Sequence, residues 1–219
     1  MSLILNNFIT SWDDGYKLDK KLVKLLLKYK IPAIFYLSNK NPKFHVGDLV
    51  RAEEIKRMSE DFEIGAHTFS HPNDLKLLSG DALLDEIQDN KSWLETLIDK
   101  EVQSFAYPRG RYNEDTIKML KKCDIKYART TVTGNTDKPD LLDLHRIKTT
   151  SHVYPQNTEY KKPKFYENAV NLFNQAVLKG NHGYFSLWGH SHEIEKFQMW
   201  DELERFFKYI QKDRDFIDN

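Results

Sequence analysis

The sequence predicts an α/β fold in which parallel strands are covered by outer helices. Two observations carry this. Seven short runs rich in apolar or β-branched residues recur along the 219-residue chain, and helix-period patterns separate most of them. No internal repeat, low-complexity tract or linker-like stretch interrupts the alternation, so a single domain over residues 1–219 is expected.

Taken in order, the first strand covers residues 8–12 and runs through Asp13-Asp14-Gly15 into a helix over 19–30, with Leu22, Leu25 and Leu26 on one face. The run AIFYL at 33–37 forms the second strand, and a helix over 51–59 follows. A third strand at 63–67 ends in His67, before a long helix over 81–98. The fourth strand, 104–107, precedes a helix over 114–122. Strands at 126–130 and 144–147 flank a surface loop over 133–143, and a second surface loop covers 154–164. A helix over 165–179, a strand at 184–188 and a helix over 199–212 complete the chain. Seven strands suit a closed barrel as well as an open doubly wound sheet, and periodicity does not choose between them.

Composition narrows the function. Lys+Arg and Asp+Glu balance at 33 each, so no overall field favours nucleic acid or an anionic membrane. Cys123 is the only cysteine, which excludes an intrachain disulfide and leaves any metal to histidine and carboxylate. The opening lacks a basic start followed by a long apolar run, and no later stretch has membrane-spanning length. A cytoplasmic location is therefore the default expectation, with export of the natural protein left open.

In either architecture functional groups collect at the carboxyl ends of the strands, and polar residues fall there repeatedly. The first strand ends in the adjacent carboxylates Asp13 and Asp14, and Gly15 after them permits a sharp turn. Taken alone, such a pair is more often a helix-capping turn. The third strand ends in His67-Thr68-Phe69-Ser70-His71, where two imidazoles four residues apart can converge on one ion if the chain turns helically after His67. One carboxylate and two histidines make a three-ligand set with positions left for water and substrate, as a catalytic site requires.

The sequences SWDDG and HTFSH resemble the first two motifs of the polysaccharide deacetylase family (carbohydrate esterase family 4, the NodB-homology domain). The resemblance continues in the segment from Phe105 to Gly110, FAYPRG, which is similar to the third motif, and in FSLWGH from Phe185 to His190, similar to the fifth. It implies a distorted (β/α)7 barrel, TIM-barrel-like, and a hydrolase acting on non-peptide carbon–nitrogen bonds by removing N-acetyl groups from a glycan, sugar or sugar conjugate. It also implies roles: Asp13 as general base, Asp14, His67 and His71 as metal ligands, His190 as the acid that protonates the departing amine, and a backbone N–H near Arg109 as oxyanion donor. Tyr107 and Trp188 join Arg109 as expected substrate-side residues. Two imidazoles and a carboxylate suit Zn2+, and Co2+, Ni2+ or Fe2+ would also fit. An amidase of the same fold and a degenerate glycan-binding module are the alternative functions.

Three departures from the family pattern matter. Ala106 stands where an arginine usually steadies the base, which leaves Arg109, Arg111 and Arg146 as unranked substitutes. No fourth motif appears in residues 133–147, although Asp137, Asp140 and Asp143 lie there, and Trp12 replaces the usual phenylalanine. His192 rivals His190 because residues two apart on an extended strand point the same way. His152 reads as part of a polar surface loop.

Overall fold

The computed structural model describes residues 3–155 and 165–218. Seven strands form one parallel sheet in the order β5-β4-β3-β2-β1-β7-β6. They are β1 (Phe8–Asp13), β2 (Ala33–Leu37), β3 (Glu63–Ala66), β4 (Ser104–Ala106), β5 (Tyr127–Arg129), β6 (Ser151–His152) and β7 (Phe185–Gly189). The helices are α1 (Asp19–Tyr29), α2 (Ala52–Asp61), α3 (Gly80–Ile98), α4 (Glu114–Lys122), α5 (Phe165–Leu178), α6 (Ser191–Lys196), α7 (Trp200–Ile210) and α8 (Arg214–Asp218).

The segment between β5 and β6 decides between open sheet and barrel. Ile147 bridges Arg129 in parallel on one side, and the Thr150 amide donates to the Ser186 carbonyl on the other. Ser151 and His152 then pair with Leu187 and Trp188 of β7. One stretch of chain thus links the two sheet edges, and the fold is a distorted barrel of seven strand–helix units. The strand expected at 144–147 is corrected by the same contacts: that stretch makes a single bridge, and the regular ladder begins only at Ser151.

Period-two alternation sorts the strand residues into two cores. Ile9, Ile34, Tyr36, Ala106 and Tyr184 pack inside the barrel, whereas Phe8, Trp12, Phe35, Phe105 and Leu187 pack outward among helix residues such as Leu22, Leu26, Ile87 and Phe206. The inward parity also carries Asp13, Arg129 and Trp188, each near the carboxyl end of its strand. Gly65 occupies an inward position where a Cβ would lie 2.4 Å from the Tyr36 ring, so the bulk of Tyr36 requires the missing side chain.

The six expected helices all form, with ends within about two residues of the pattern. Helix α1 buries Leu22 and Leu26 and stops at Lys30, whose φ of 50° breaks the helical path while its amide still reaches the Leu26 and Leu27 carbonyls. Helix α4 starts on an Asn113–Thr116 capping box. Helices α6 and α8 were not anticipated. The loop expected at 154–164 lies outside the described residues from 156 onward.

Candidate metal centre and active site

Asp14 leaves β1 with φ 78°, followed by Gly15 at 66°, and this left-handed turn directs the carboxylate back over the barrel mouth. His67 follows the last residue of β3. The chain after it is a loop, not the expected helical turn: Thr68 (φ 68°) and His71 (φ 52°) are both left-handed, and the His71 amide donates to Thr68 Oγ1 at 3.2 Å. A left-handed β-branched residue is an outlier that its surroundings must hold in place. Here Ser38 and Thr68 both donate hydroxyls to the His67 carbonyl, and the His67 amide donates to Asn90 of α3.

The result is a buried cluster in which His71 Nε2 and His67 Nε2 lie 3.3 and 3.7 Å from Asp14 Oδ1. A tetrahedral zinc centre with bonds of about 2.1 Å separates its ligand atoms by about 3.4 Å, so the donor set fits a divalent cation. His67 Nδ1 donates to the Ala106 carbonyl at 2.7 Å, which fixes the tautomer and leaves the Nε2 lone pair facing the cluster. Burial pushes both imidazoles below their ordinary range, His71 to about 4 with His67 adding to the effect, which favours the neutral form that binds metal. Asn41 donates to Asp14 Oδ1 at 3.0 Å and completes the support.

Asp13 is 3% exposed and takes 2.5 Å contacts from one guanidinium nitrogen of Arg129 to both carboxylate oxygens. Burial alone would raise its pKa, but the charges of Arg129, His67 and His190 and the Arg129 hydrogen bond outweigh that and hold it below the usual carboxylate range. The partner of Asp13 is therefore none of the three arginines expected. Arg109 is exposed at the cavity rim, Arg111 pairs with Asp74, and Arg146 pairs with Asp143 and Glu114. Arg129 is the register neighbour of Ala106, so the cation sits one strand away from its customary place. Its guanidinium is held between Tyr36 and Trp188, 5.3 and 5.0 Å from the ring centres.

Across the mouth, His190 Nε2 is 3.9 Å from Asp14 Oδ2, and His190 Nδ1 is 2.7 Å from Glu193 Oε2. Burial would lower the His190 pKa, but Glu193, Asp14 and Asp13 together raise it. Glu193 is thus the carboxylate beside His190, where residues 133–147 offered no recognisable fourth-motif aspartate. The two side chains, three residues apart, meet because β7 ends at Gly189 and α6 begins at once. The extended-strand expectation for His192 is corrected by that helix: His192 accepts from Lys43 Nζ at 2.7 Å and packs edge-on against Phe44, away from the cavity lining.

A cavity of about 530 Å³ joins these groups, in the usual range for small-ligand sites. Asp13, Asp14, His67, His71, Arg109, Trp188 and His190 line it. Tyr107 does not. Its ring stacks on Tyr112 at 4.2 Å and its hydroxyl donates to the His145 carbonyl, because inward parity at Ala106 turns the next side chain outward. His152 is corrected as well: it belongs to β6 and stacks on Trp188 at 3.8 Å.

Sequence reasoning missed Arg129, Glu193, Asn41 and Asn90. A charged residue at the carboxyl end of an expected strand was the available signal for Arg129. An acid three residues beyond a histidine was the signal for Glu193.

A parallel barrel with carboxylates and imidazoles gathered at the carboxyl ends of its strands places the chain among α/β-barrel proteins equipped with a ligand set for a cation. The polysaccharide deacetylase family model matches residues 7–128, more than half of the chain, and the protein belongs to that family. The poly-beta-1,6-N-acetyl-D-glucosamine N-deacetylase of Staphylococcus aureus (strain MSSA476) is 28% identical over 116 residues, 48% of this chain and 40% of that protein. The chain spans about half or less of the length of the curated relatives it matches. A solved Mycobacterium smegmatis structure superposes with a TM-score of 0.68 at 12% identity, covering 96% of this chain and 86% of that one. BA3943 from Bacillus anthracis, a family pseudoenzyme, superposes at 0.58 and 17% identity over 95% of this chain and 62% of its own. Both structures support the fold alone.

Proposed function

We propose that the protein removes N-acetyl groups from an acetylated sugar or glycan. The observation that carries this reading is the meeting, at one cavity, of an arginine-held carboxylate (Asp13–Arg129), the three ligand-type side chains and an imidazole tuned by Glu193. Asp14, His67 and His71 would hold a divalent cation, with zinc favoured by two imidazoles and one carboxylate. When bound, it supplies Lewis acidity that acidifies water and polarises the amide carbonyl.

The chain's own residues account for the proton traffic. Asp13, kept ionised, takes a proton from the attacking water, and Arg129, in contact with both of its oxygens, holds the carboxylate in place. His190 gives the Nε2 proton to the departing amine while Glu193 holds Nδ1–H, so amide and water leave as acetate and amine. The backbone at Arg109 (φ 56°), at the cavity rim, is the candidate oxyanion donor.

The name of the staphylococcal relative makes N-acetylglucosamine oligomers the first substrates to test, beside N-acetylated monosaccharides. Zinc-loaded protein should release acetate from at least one of them, and Asp13→Asn should lower the rate by about 10²-fold or more. Turnover of a cyclic amide without acetate release would replace this reading with an amidase. Glycan binding without turnover in either protein would replace it with a binding module.

A further inference from the structure

Beside the Asp14 cluster lies a second set of ligand-type atoms. His152 on β6, His190 at the start of α6 and Glu193 in its first turn bring two ring nitrogens and a carboxylate oxygen within 4.8 Å of one another. Glu193 Oε2 lies 2.7 Å from His190 Nδ1 and 3.5 Å from His152 Nε2. Those separations bracket the spacing of about 3.4 Å that a tetrahedral zinc centre gives its ligand atoms.

His152 is the unexplained member. Its Nε2 is buried and, among the described residues, makes no well-formed hydrogen bond: Glu193 Oε2 stands at 3.5 Å, the outer limit for one, and buried polar atoms are seldom held so weakly. The ring is also immobilised, stacked on Trp188 at 3.8 Å and 6° and near-parallel to Tyr154 at 5.3 Å and 14°. Burial pushes this imidazole below its ordinary range, toward the neutral form that a metal ligand must have. A stacked ring whose nitrogen stands a long 3.5 Å from a carboxylate is an arrangement that a cation between them would complete.

We propose that His152, His190 and Glu193 form a second divalent-cation site, suited to zinc, and that filling it switches off His190 as an acid. The cation takes the place of the Nδ1 proton, which passes to solvent. His190 then carries only the Nε2 proton of a neutral, coordinated imidazole, a far weaker acid than the imidazolium. Since Nε2 of the same ring faces Asp14 at 3.9 Å, one histidine stands between the two sites. Binding does not depend on the proposed reaction; the inhibitory consequence rests on the reading of His190 as the acid.

Titration of metal-free protein with Zn2+ alone, followed by calorimetry, should show two equivalents bound. His152→Ala should weaken the second by at least about tenfold and leave the first. Asp14→Ala should do the reverse, and Glu193→Gln, which keeps the side-chain volume, should repeat the His152→Ala result if the alanine variant fails to fold. A single equivalent in the wild type, or an unchanged second equivalent in both second-site variants, would overturn the site. In the acetate assay, activity should rise through the first equivalent and fall through the second in the wild type, and should not fall in His152→Ala. Activity that stays level through the second equivalent would overturn the switch, whereas absence of any turnover would count against the deacetylase reading and leave the stoichiometry to decide the site.

Discussion

Asp13 and Arg129 stand 116 positions apart in sequence and meet inside the barrel at 2.5 Å, with Arg129 1% and Asp13 3% exposed. A pair buried this deeply gains little over two well-packed apolar residues, but losing one member strands the other's charge. Arg129→Met should therefore cost about 3–5 kcal/mol in urea unfolding and lower acetate release far more than Arg129→Lys, which keeps the charge without the planar fork. Wild-type turnover in Arg129→Met would show that Asp13 needs no partner. The contact was not legible in the sequence, because a motif points to near neighbours in the chain. Only the register of β4 against β5 brings Arg129 beside Ala106. Asp14, His67, His71 and His190 were legible, since each sits at or just beyond a strand end that its own apolar run announces.

Elements announced themselves in proportion to their length and burial. The strands AIFYL and FSLWG are buried throughout and stand out as apolar runs, whereas β6 has two residues, Ser151 and His152, and no pattern for hydropathy to reveal. Helix α6, SHEIEK, buries only Ser191 and Ile194, too little for a helical period. Within β3 the decisive residue is the smallest. Gly65→Ala would press a methyl group onto Tyr36 and should destabilise the protein by about 1–3 kcal/mol. Gly47→Ala, where an added Cβ meets nothing within 4 Å, should change the unfolding free energy by less than about 0.5 kcal/mol. Equal urea midpoints for the two variants would mean that Tyr36 moves aside.

At the scale of the molecule, the first and last strand–helix units are tied by a buried contact: Ser191 Oγ donates to Asp19 Oδ1 at 2.5 Å, and Asp19 Oδ2 has no partner among the described residues. Burial is the main reason that Asp19 is pushed up to about 8, from 3.8 for a free side chain, with Asp14 adding to it. The folded chain therefore holds a proton that the unfolded chain releases between those values. The stability it contributes is complete below about pH 4 and is lost as pH rises through about 8. Urea unfolding of metal-free protein at several pH values should show this decline, and Asp19→Asn should flatten it. An identical pH slope in the variant would remove Asp19 as its source.

Ring closure also bears on Arg129. In a sheet curled into a barrel, inward-facing register neighbours on adjacent strands point toward a common axis, so a charge on one strand or on the next can reach the same centre from different addresses in the chain. Arg129, on the strand beside Ala106, thus reaches the Asp13 carboxylate from β5. Whether a carboxylate at the mouth of such a barrel has a cationic partner is better judged by height within the barrel than by the letter at a motif position.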